Sequence, residues 1–332
     1  MVELARKLPL PQRRFPASPV LLLLAAACIF LTVESLRSTI FAQLTVAGVA
    51  TGVVYGSLAL ALVLIYRATE VINFAQGEMA MAMVYVAYQL TLWGLAYWEA
   101  FFLTLAIAFV FGVVTQRVFI RPVQGRSVIA VVIVTVGLFI LIDGLVEWKW
   151  SANQRFMQAP FGNKIYHLGN VPIARQDLGT IVITLISVSA LWAFFRFTKL
   201  GLGMRAGALR PAAARLVGVR TNALLAVGWG LAAVLGAVAG LMTEPAEYVL
   251  QPTLMQPVLL YAFAAAVLGG LESPGGALVG GIALGIFLNL LPSHSWGFVT
   301  SALELPVAFA ALLVVLLIKP TGLFGHRTVR KV

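Results

Sequence analysis

The stretch YRATEVINFAQGEMAM, residues 66–81, joins two of the most apolar runs in the chain, 40–65 and 77–97. Each run is long enough to cross a lipid bilayer as a helix, because about 20 apolar residues span its hydrocarbon core. The stretch nevertheless carries five strongly polar or charged side chains: Arg67, Glu70, Asn73, Gln76 and Glu78. It is therefore either an ordinary turn between two membrane spans or part of the functional machinery.

The composition of the whole chain is that of a membrane protein. Of its 332 residues 61% are hydrophobic and 11% are charged, with a mean hydropathy of +0.97, whereas soluble domains carry roughly a quarter charged residues. The pattern predicts an all-α, polytopic transmembrane helical bundle of about ten spans, with eight spans plus re-entrant segments as the alternative. The predicted apolar segments are 17–34, 40–65, 77–97, 101–116, 128–146, 179–196, 223–243, 255–271, 276–292 and 298–318.

The basic residues indicate the orientation of these spans. With ten crossings, 18 of the 23 Lys and Arg residues fall on the side of the two termini and five fall on the opposite side. Because basic residues concentrate on the cytoplasmic side of membrane proteins, both termini are expected to be cytoplasmic. The same rule accounts for the net charge of +11, so a nucleic-acid partner is not needed to explain it.

Three regions follow from this topology. Residues 1–38 form a cytoplasmic N-tail and the first span, which lacks the small-residue cleavage site of a signal peptide and is read as a retained helix. Residues 39–326 form the main transmembrane domain, with a periplasmic loop at 147–178 and a strongly basic cytoplasmic loop at 197–222. Residues 327–332 form a cytoplasmic tail.

Small residues recur at four-residue spacing, which lets helix backbones approach closely in lipid. Tight packing within the bundle is the favoured explanation, and the alternative is a face that lines a path or meets a second subunit. The clearest series are Gly48, Gly52 and Gly56; Gly236 and Gly240; Gly276 and Gly280; and Gly281 and Gly285.

A second glycine-rich segment cannot form one uninterrupted helix. It is either a tight inner turn between two spans or a broken helix whose freed backbone groups face a polar cavity. Its breaking residues are Gly269, Gly270, Pro274, Gly275 and Gly276.

The motifs that the sequence lacks exclude several functions. There is no G-x-x-x-x-G-K-[ST] loop for nucleotide hydrolysis and no H-E-x-x-H, C-x-x-C, G-x-S-x-G or D-D-x-x-D motif. With one cysteine, Cys28, and three scattered histidines, no metal site or bound cofactor is expected. Only Glu78, Glu304 and Asp143 lie within or near apolar runs, which argues against an ion-driven carrier. The chain is therefore not expected to be an enzyme.

Four stretches in one order carry a family resemblance. They are VINFAQGEMAM (71–81), GMRAGALRPAAARLVGVRTNALLAVGWGLAAVLGAVAG (203–240), AAAVLGGLESPGGALVGGIALGI (264–286) and KPTGLFG (319–325). The sequence resembles the inner-membrane permease subunits of bacterial ABC importers for branched-chain amino acids. It is most similar to the type marked by an I-N-F-A-[HQ]-G-E element, here Ile72–Glu78, and the resemblance covers roughly 40–326.

The resemblance implies a set of partners and a substrate class. Such a permease works with a second, related permease, two cytoplasmic ABC ATPases that bind ATP and Mg, and a periplasmic substrate-binding protein. The expected substrates are branched-chain or other small amino acids. Urea, short amides or aromatic acids are alternatives within the class, and an ion-coupled secondary carrier is the alternative outside it.

The resemblance also assigns the basic loop 197–222 to coupling with the ATPases. Importer permeases carry an E-A-A-x-x-x-G-type element there, and this chain has alanine where that pattern has glutamate. A short amphipathic helix from Pro211 to about Gly218 is predicted, with the basic residues pairing with acids of an ATPase or with phosphates of membrane lipid. The residues assigned to coupling are Arg210, Ala212, Ala213, Ala214, Arg215 and Gly218.

The opening stretch divides at the start of the family element. Tyr66–Val71 is predicted to be a cytoplasmic turn, and Ile72–Glu78 is predicted to enter the next span. On a helix, Asn73, Gln76 and Gly77 share a face, while Glu78 caps or braces the helix start. The predicted translocation pathway or gate consists of Asn73, Gln76, Glu78 and Glu304.

Overall fold

Ten α-helices account for most of the chain in a computed structural model, which describes residues 38–162, 164–209, 214, 216, 218, 220–247, 249–294, 303–319 and 322–325. The helices are α1 (Thr39–Thr69), α2 (Gln76–Leu92), α3 (Tyr97–Thr115), α4 (Val128–Trp150), α5 (Arg175–Phe197), α6 (Lys199–Leu209), α7 (Thr221–Glu247), α8 (Met255–Gly269), α9 (Pro274–His294) and α10 (Glu304–Ile318).

Seven helical segments among the described residues are long and apolar enough to cross a membrane. Two further apolar helices are shorter, α2 with 17 residues and α10 with 15. The nine predicted segments from 40–65 to 298–318 each coincide with one helix, which confirms a helical, multi-pass membrane protein. The predicted first span, 17–34, lies outside the described residues, so ten crossings and cytoplasmic termini stay predictions.

The predicted periplasmic loop 147–178 is more ordered than a simple connection. It contains an antiparallel hairpin of β1 (Ile165–Leu168) and β2 (Val171–Ala174). Upstream of this hairpin, Arg155 pairs with Leu250 of the α7–α8 connection through two backbone hydrogen bonds of 2.9 and 2.8 Å. The loop is thereby attached to the bundle at its outer end.

The predicted glycine series of α1 lies at its contact with α9. A Cβ atom built on Gly48 or Gly52 would lie 2.7 Å from the Cα atom of Ile286 or Ile282, respectively. The facing glycines on α9 are Gly281 and Gly285, which touch the backbone of α1. The two helices therefore meet backbone to backbone, at a separation that only glycine permits.

The segment at 269–276 forms a tight turn between two separate helices, the first of the two alternatives. Helix α8 ends at Gly269, Gly270 has a φ of +102°, and α9 begins at Pro274. The Ser273 hydroxyl accepts a hydrogen bond from the Gly276 N–H at 3.1 Å, which caps the start of α9.

The described end of the KPTGLFG element, residues 322–325, covers this turn. The N–H groups of Leu323 and Phe324 donate to the carbonyls of Leu268 and Gly269 at 2.7 and 3.1 Å. Because the last carbonyls of a helix have no partner inside it, these bonds complete the C-terminus of α8. Two stretches that carried the family resemblance thus pack on each other.

Candidate functional site

The connection between α1 and α2 packs three of its side chains into the protein interior. Helix α1 continues to Thr69, so the turn predicted at Tyr66–Val71 is wrong over its first four residues. The chain leaves the helix at Glu70, which has a φ of +57° and donates its N–H to the Tyr66 carbonyl at 2.7 Å. Val71, Asn73 and Ala75 are then buried, so this connection is a packed segment and not a solvated loop.

A chain of hydrogen bonds fixes the entry to α2. The Asn73 side-chain oxygen accepts from the Ala75 N–H at 3.1 Å, a turn that asparagine favours. Its amide nitrogen donates to the Gln76 side-chain oxygen at 3.1 Å, and the Gln76 amide nitrogen donates to the Ala232 carbonyl of α7 at 3.0 Å. Both side chains are fully buried, so the network joins α2 to the middle of α7.

Glycines of α7 make room for this network. A Cβ atom on Gly236 would lie 2.8 Å from the Gln76 amide nitrogen, and one on Gly240 would lie 2.7 Å from a methyl group of Val84. Both glycines of the predicted series therefore lie against α2. The close approach brings the Gln76 side chain within hydrogen-bonding distance of the α7 backbone.

The predicted common face of Asn73, Gln76 and Gly77 is wrong. The helix begins at Gln76, so Asn73 precedes it and reaches Gln76 only through its side chain. A Cβ atom on Gly77 would lie 3.0 Å from that of Leu259, so Gly77 contacts α8 while Gln76 contacts α7. The apolar segment predicted at 77–97 begins within one residue of this helix, but the Asn73 turn precedes the helix, so Asn73 does not share one of its faces.

Glu78 follows Gln76 in the first turn of α2 and is also fully buried. Asp143 of α4 and Gln256 of α8 face the same carboxylate. Neither carboxylate oxygen of Glu78 has a well-formed hydrogen bond within the described part of the chain. Glu78 thus does not cap the helix, and its carboxyl group is exceptional because buried polar groups are normally paired.

The other predicted site residues are only partly described. Glu304 is the first residue of α10, and its side chain lies outside the described part, as do Arg210, Ala212, Ala213 and Arg215 entirely. Ala214 is helical and buried, and Gly218 has a φ of +83°. The neighbouring Leu216 is 89% exposed, which the sequence did not indicate because a single leucine in a basic loop gives no signal.

A cavity of about 940 Å³ lies among the ends of α1, α5, α7 and α9 and helix α6. Its described lining includes Arg67, Arg121 and Arg205 above a largely apolar wall. These arginines belong to three loops that the charge distribution placed on one side of the membrane, and the fold brings them together. Asn73, Gln76 and Glu78 are not among the described residues that line it.

The end of the bundle that is predicted to face the periplasm contains a buried acid that the sequence analysis did not identify. The Glu244 carboxylate, at the end of α7, accepts a hydrogen bond from the Met157 N–H at 3.1 Å. Arg155 donates to the Trp150 carbonyl at 2.6 Å and to the Tyr88 hydroxyl at 3.4 Å. These contacts hold the loop 151–162 across the bundle, and the only signal was an acid at the end of the run 223–243.

These features define an integral membrane protein whose polar groups lie between tightly packed helices. Within the described residues, no three His, Cys, Asp or Glu side chains are grouped as a metal site would need. The class is that of a helical, multi-pass membrane protein, and comparisons with known proteins give the family.

A family model described as branched-chain amino acid transport system / permease component matches residues 44–318. The chain therefore belongs to this family of permease components. It is 29% identical over 306 residues to the high-affinity branched-chain amino acid transport system permease protein LivH of Escherichia coli strain K12, covering 88% of this chain and 98% of that protein.

Other relatives carry the same description. BraD of Pseudomonas aeruginosa, also a high-affinity branched-chain amino acid transport system permease protein, is 28% identical over 305 residues, covering 88% of this chain and 98% of BraD. A probable LivH of Methanocaldococcus jannaschii is 26% identical and covers 81% of this chain and 87% of that protein. A solved structure of PsaBC from Streptococcus pneumoniae in complex with Fab has a TM-score of 0.47 at 14% identity, covering 89% of this chain and 97% of that one.

Proposed function

We propose that this chain is one transmembrane permease subunit of an ATP-driven importer of branched-chain amino acids in a bacterial inner membrane. The observation that carries the proposal is the family match over residues 44–318, together with relatives named for this transport that align over almost their whole length. The buried polar network at the start of α2 falls within this matched region.

The proposed complex divides the work among several subunits. A periplasmic binding protein delivers the substrate, a second permease completes the pathway, and two cytoplasmic ABC ATPases bind ATP and Mg and hydrolyse the ATP. This chain makes and breaks no bond in the substrate. Its part is to expose the pathway first to one side of the membrane and then to the other.

The entry to α2 is proposed to take part in this gating. Residues 70–75 are non-helical, Val71, Asn73 and Ala75 among them are buried, and the Asn73–Gln76–Ala232 hydrogen bonds join the segment to α7. Short non-helical segments absorb the dihedral changes of a conformational transition. A movement of α7, which follows the basic loop, would therefore be transmitted to α2 through Gln76.

Uptake measurements test the substrate class. In a strain that lacks the gene, the restored chain is expected to recover uptake of labelled leucine but not of labelled urea or an aromatic acid. Recovery of urea or aromatic-acid uptake alone would assign the importer to another substrate. Uptake driven by an ion gradient, in vesicles containing this protein alone, would contradict the proposal of an ATP-driven importer.

Replacing Gln76 by alanine tests the gate. The change removes a buried hydrogen bond and leaves the Asn73 amide without its partner, at a cost of about 1–3 kcal/mol. We expect leucine uptake to fall at least about tenfold on this energetic scale. Gln158→Ala, in the exposed outer loop, is the matched control and should retain uptake. Unchanged uptake in an Asn73→Ala, Gln76→Ala double variant would refute the gate.

Co-purification tests the proposed coupling loop. Gly218 has a φ of +83°, which proline cannot adopt, so Gly218→Pro should reduce uptake and the recovery of ATPase subunits with the tagged chain. Leu216→Asp should do the same if its exposed side chain docks on an ATPase. Full uptake and full recovery in both variants would place the coupling elsewhere.

A further inference from the structure

A second, smaller cavity of about 310 Å³ lies where α3 ends in a π-helical turn, Gln116–Ile120. Its described lining consists of Gln116, Arg117, Arg121, Arg220, Asn222 and Ala223. Three arginines without any acid among the described lining residues give a strongly positive cavity. Such π-helical turns occur often at functional sites.

Gln116 is the side chain that marks this cavity as a binding site. It is 1% exposed, and neither its amide oxygen nor its amide nitrogen has a hydrogen-bond partner within the described part of the chain. Leaving a buried amide unpaired costs about 1–3 kcal/mol. A ligand that accepts a hydrogen bond would satisfy the amide nitrogen beside the three arginines.

The small cavity adjoins the larger one of about 940 Å³, because Arg121 and Asn222 line both. The larger cavity has an apolar wall that includes Leu60, Leu64, Leu191 and Leu225, and no acid is among its described lining residues. A charged cavity joined to an apolar one matches a molecule with an anionic head and a hydrocarbon tail.

The two cavities lie beside a helix surface that faces the lipid bilayer, so such a molecule can enter from the membrane. Trp192 of α5 lines the larger cavity and is 62% exposed. The same helix exposes Ile186 and Phe197, as expected of a helix that faces lipid. The arginines lie at the membrane side assigned to the cytoplasm, where anionic lipids attract basic residues.

We propose that these two cavities form a binding site for one anionic phospholipid of the cytoplasmic leaflet. Its phosphate lies in the small cavity against Arg117, Arg121 and Arg220, with the Gln116 amide donating a hydrogen bond to it. Its acyl chain lies in the larger cavity along Leu191 and Trp192. The proposal does not depend on which substrate the importer carries.

Lipid retention by the purified full-length chain, with any subunits that accompany it, tests the site. The protein is incorporated into phosphatidylcholine nanodiscs with increasing phosphatidylglycerol, and bound lipids are counted by native mass spectrometry. The wild type should retain phosphatidylglycerol in preference to phosphatidylcholine. Arg121→Gln should weaken this retention about fivefold, from the usual contribution of one basic residue near anionic lipid.

Two further variants separate the head from the tail. Gln116→Leu should weaken retention of phosphatidylglycerol without changing the charge of the site. Gly228 lines the larger cavity, and a Cβ atom there would meet only the end of the Met204 side chain, at 3.1 Å. Gly228→Leu should therefore fill the tail cavity and reduce phospholipid retention, while inorganic phosphate binds as in the wild type.

Arg126→Gln is the matched control, because it removes the same charge from the same loop at a residue outside the described lining of both cavities. Each variant must show a wild-type thermal midpoint, and Arg117→Gln, at another lining residue of the small cavity, replaces Arg121→Gln if that variant fails. Equal loss in Arg126→Gln and Arg121→Gln would overturn the proposal, as would no preference for phosphatidylglycerol. Full phosphatidylglycerol retention by Gly228→Leu would overturn the lipid assignment in favour of a simple anion site. Displacement of phosphatidylglycerol when the ATPase subunits bind would overturn it in favour of a protein interface.

Discussion

Three buried polar residues within six positions meet very different environments. Asn73 and Gln76 are hydrogen-bonded to each other and to the backbone, whereas Glu78 has no well-formed hydrogen bond among the described residues. An unpaired buried carboxyl group destabilises a fold. A residue that breaks a local rule in this way is expected at a functional position, which singles out Glu78 from its neighbours.

Replacing Glu78 by glutamine should leave stability intact and reduce transport. The amide has the same shape and removes a group that is costly to bury, so the thermal midpoint in detergent should be unchanged or higher. We expect leucine uptake to fall about tenfold, since a functional carboxyl is lost. Glu147→Gln, at an exposed position of α4, is the control. Wild-type uptake by Glu78→Gln would show that the carboxyl has no role in transport.

Gly322 should resist substitution for two separable reasons. Its φ is +76°, and a Cβ atom there would lie 2.7 Å from the Gly270 nitrogen. Gly125 has a similar φ of +87° with nothing within 4 Å, so Gly125→Ala incurs only the conformational cost of about 1–2 kcal/mol. Gly322→Ala should lower the thermal midpoint further than Gly125→Ala does. Equal decreases in the thermal midpoint of the two variants would mean that the contact of Gly322 with the α8–α9 turn contributes nothing to stability.

At the scale of helices, several of the closest contacts in the described part of this protein are made at glycines. Helix α9 uses two faces, with Gly281 and Gly285 against α1 and Gly280 against α8. In lipid, apolar side chains gain little by leaving the solvent, so close backbone contact supplies the attraction between helices. The spacing predicted such contacts, but it did not identify the partner helices.

Gly52→Val should disrupt the contact between α1 and α9. The nearest atom to an added Cβ is the Ile282 Cα atom at 2.7 Å, and backbone cannot move aside as a flexible side chain can. Overpacking of this kind costs about 1–3 kcal/mol or more, so the amount of folded protein in membranes should drop. Gly137→Val on α4, where nothing lies within 4 Å, should be tolerated. A wild-type amount of folded Gly52→Val protein in membranes would contradict the close contact between α1 and α9.

At the scale of the whole molecule, the loops assigned to the cytoplasm lie together. Arg67, Arg121 and Arg205 line one cavity, and Arg117, Arg121 and Arg220 line the other. At the other end, the loop after α4 bonds to Leu250 through Arg155 and to Glu244 through the Met157 N–H. The basic residues predicted that successive loops alternate between the two sides of the membrane. The arrangement of the described helices is consistent with this alternation.

Labelling of single cysteines tests this orientation. In a Cys28→Ser background, Asn153→Cys should react with a membrane-impermeant maleimide in intact cells that lack the outer membrane, because residue 153 is predicted to be periplasmic. Arg126→Cys should react only after the cells are opened, because its loop is predicted to be cytoplasmic. Both residues are exposed, so accessibility within the protein does not bias the comparison. The reverse pattern would invert the topology.

The sequence predicted the helical class and most helix positions because lipid imposes a strong local constraint. A helix satisfies all its backbone groups within one segment, so apolar length alone marks a span. The sequence did not predict that Asn73 lies in a turn before α2, since this turn depends on a hydrogen bond to the Asn73 side chain. It also missed the outer hairpin and Glu244, because their contacts join residues far apart in the chain.

Apolar runs and the charge distribution were sufficient to predict a polytopic helical membrane protein, and four ordered stretches carried its resemblance to branched-chain amino acid permeases. How these parts meet became known only from the folded arrangement. It placed Gln76 against Ala232 on α7, set the KPTGLFG element on the end of α8, and gathered arginines from separate loops around two cavities. The reason is physical: local sequence dictates which segments enter the membrane, whereas side-chain partners are fixed by packing between distant helices.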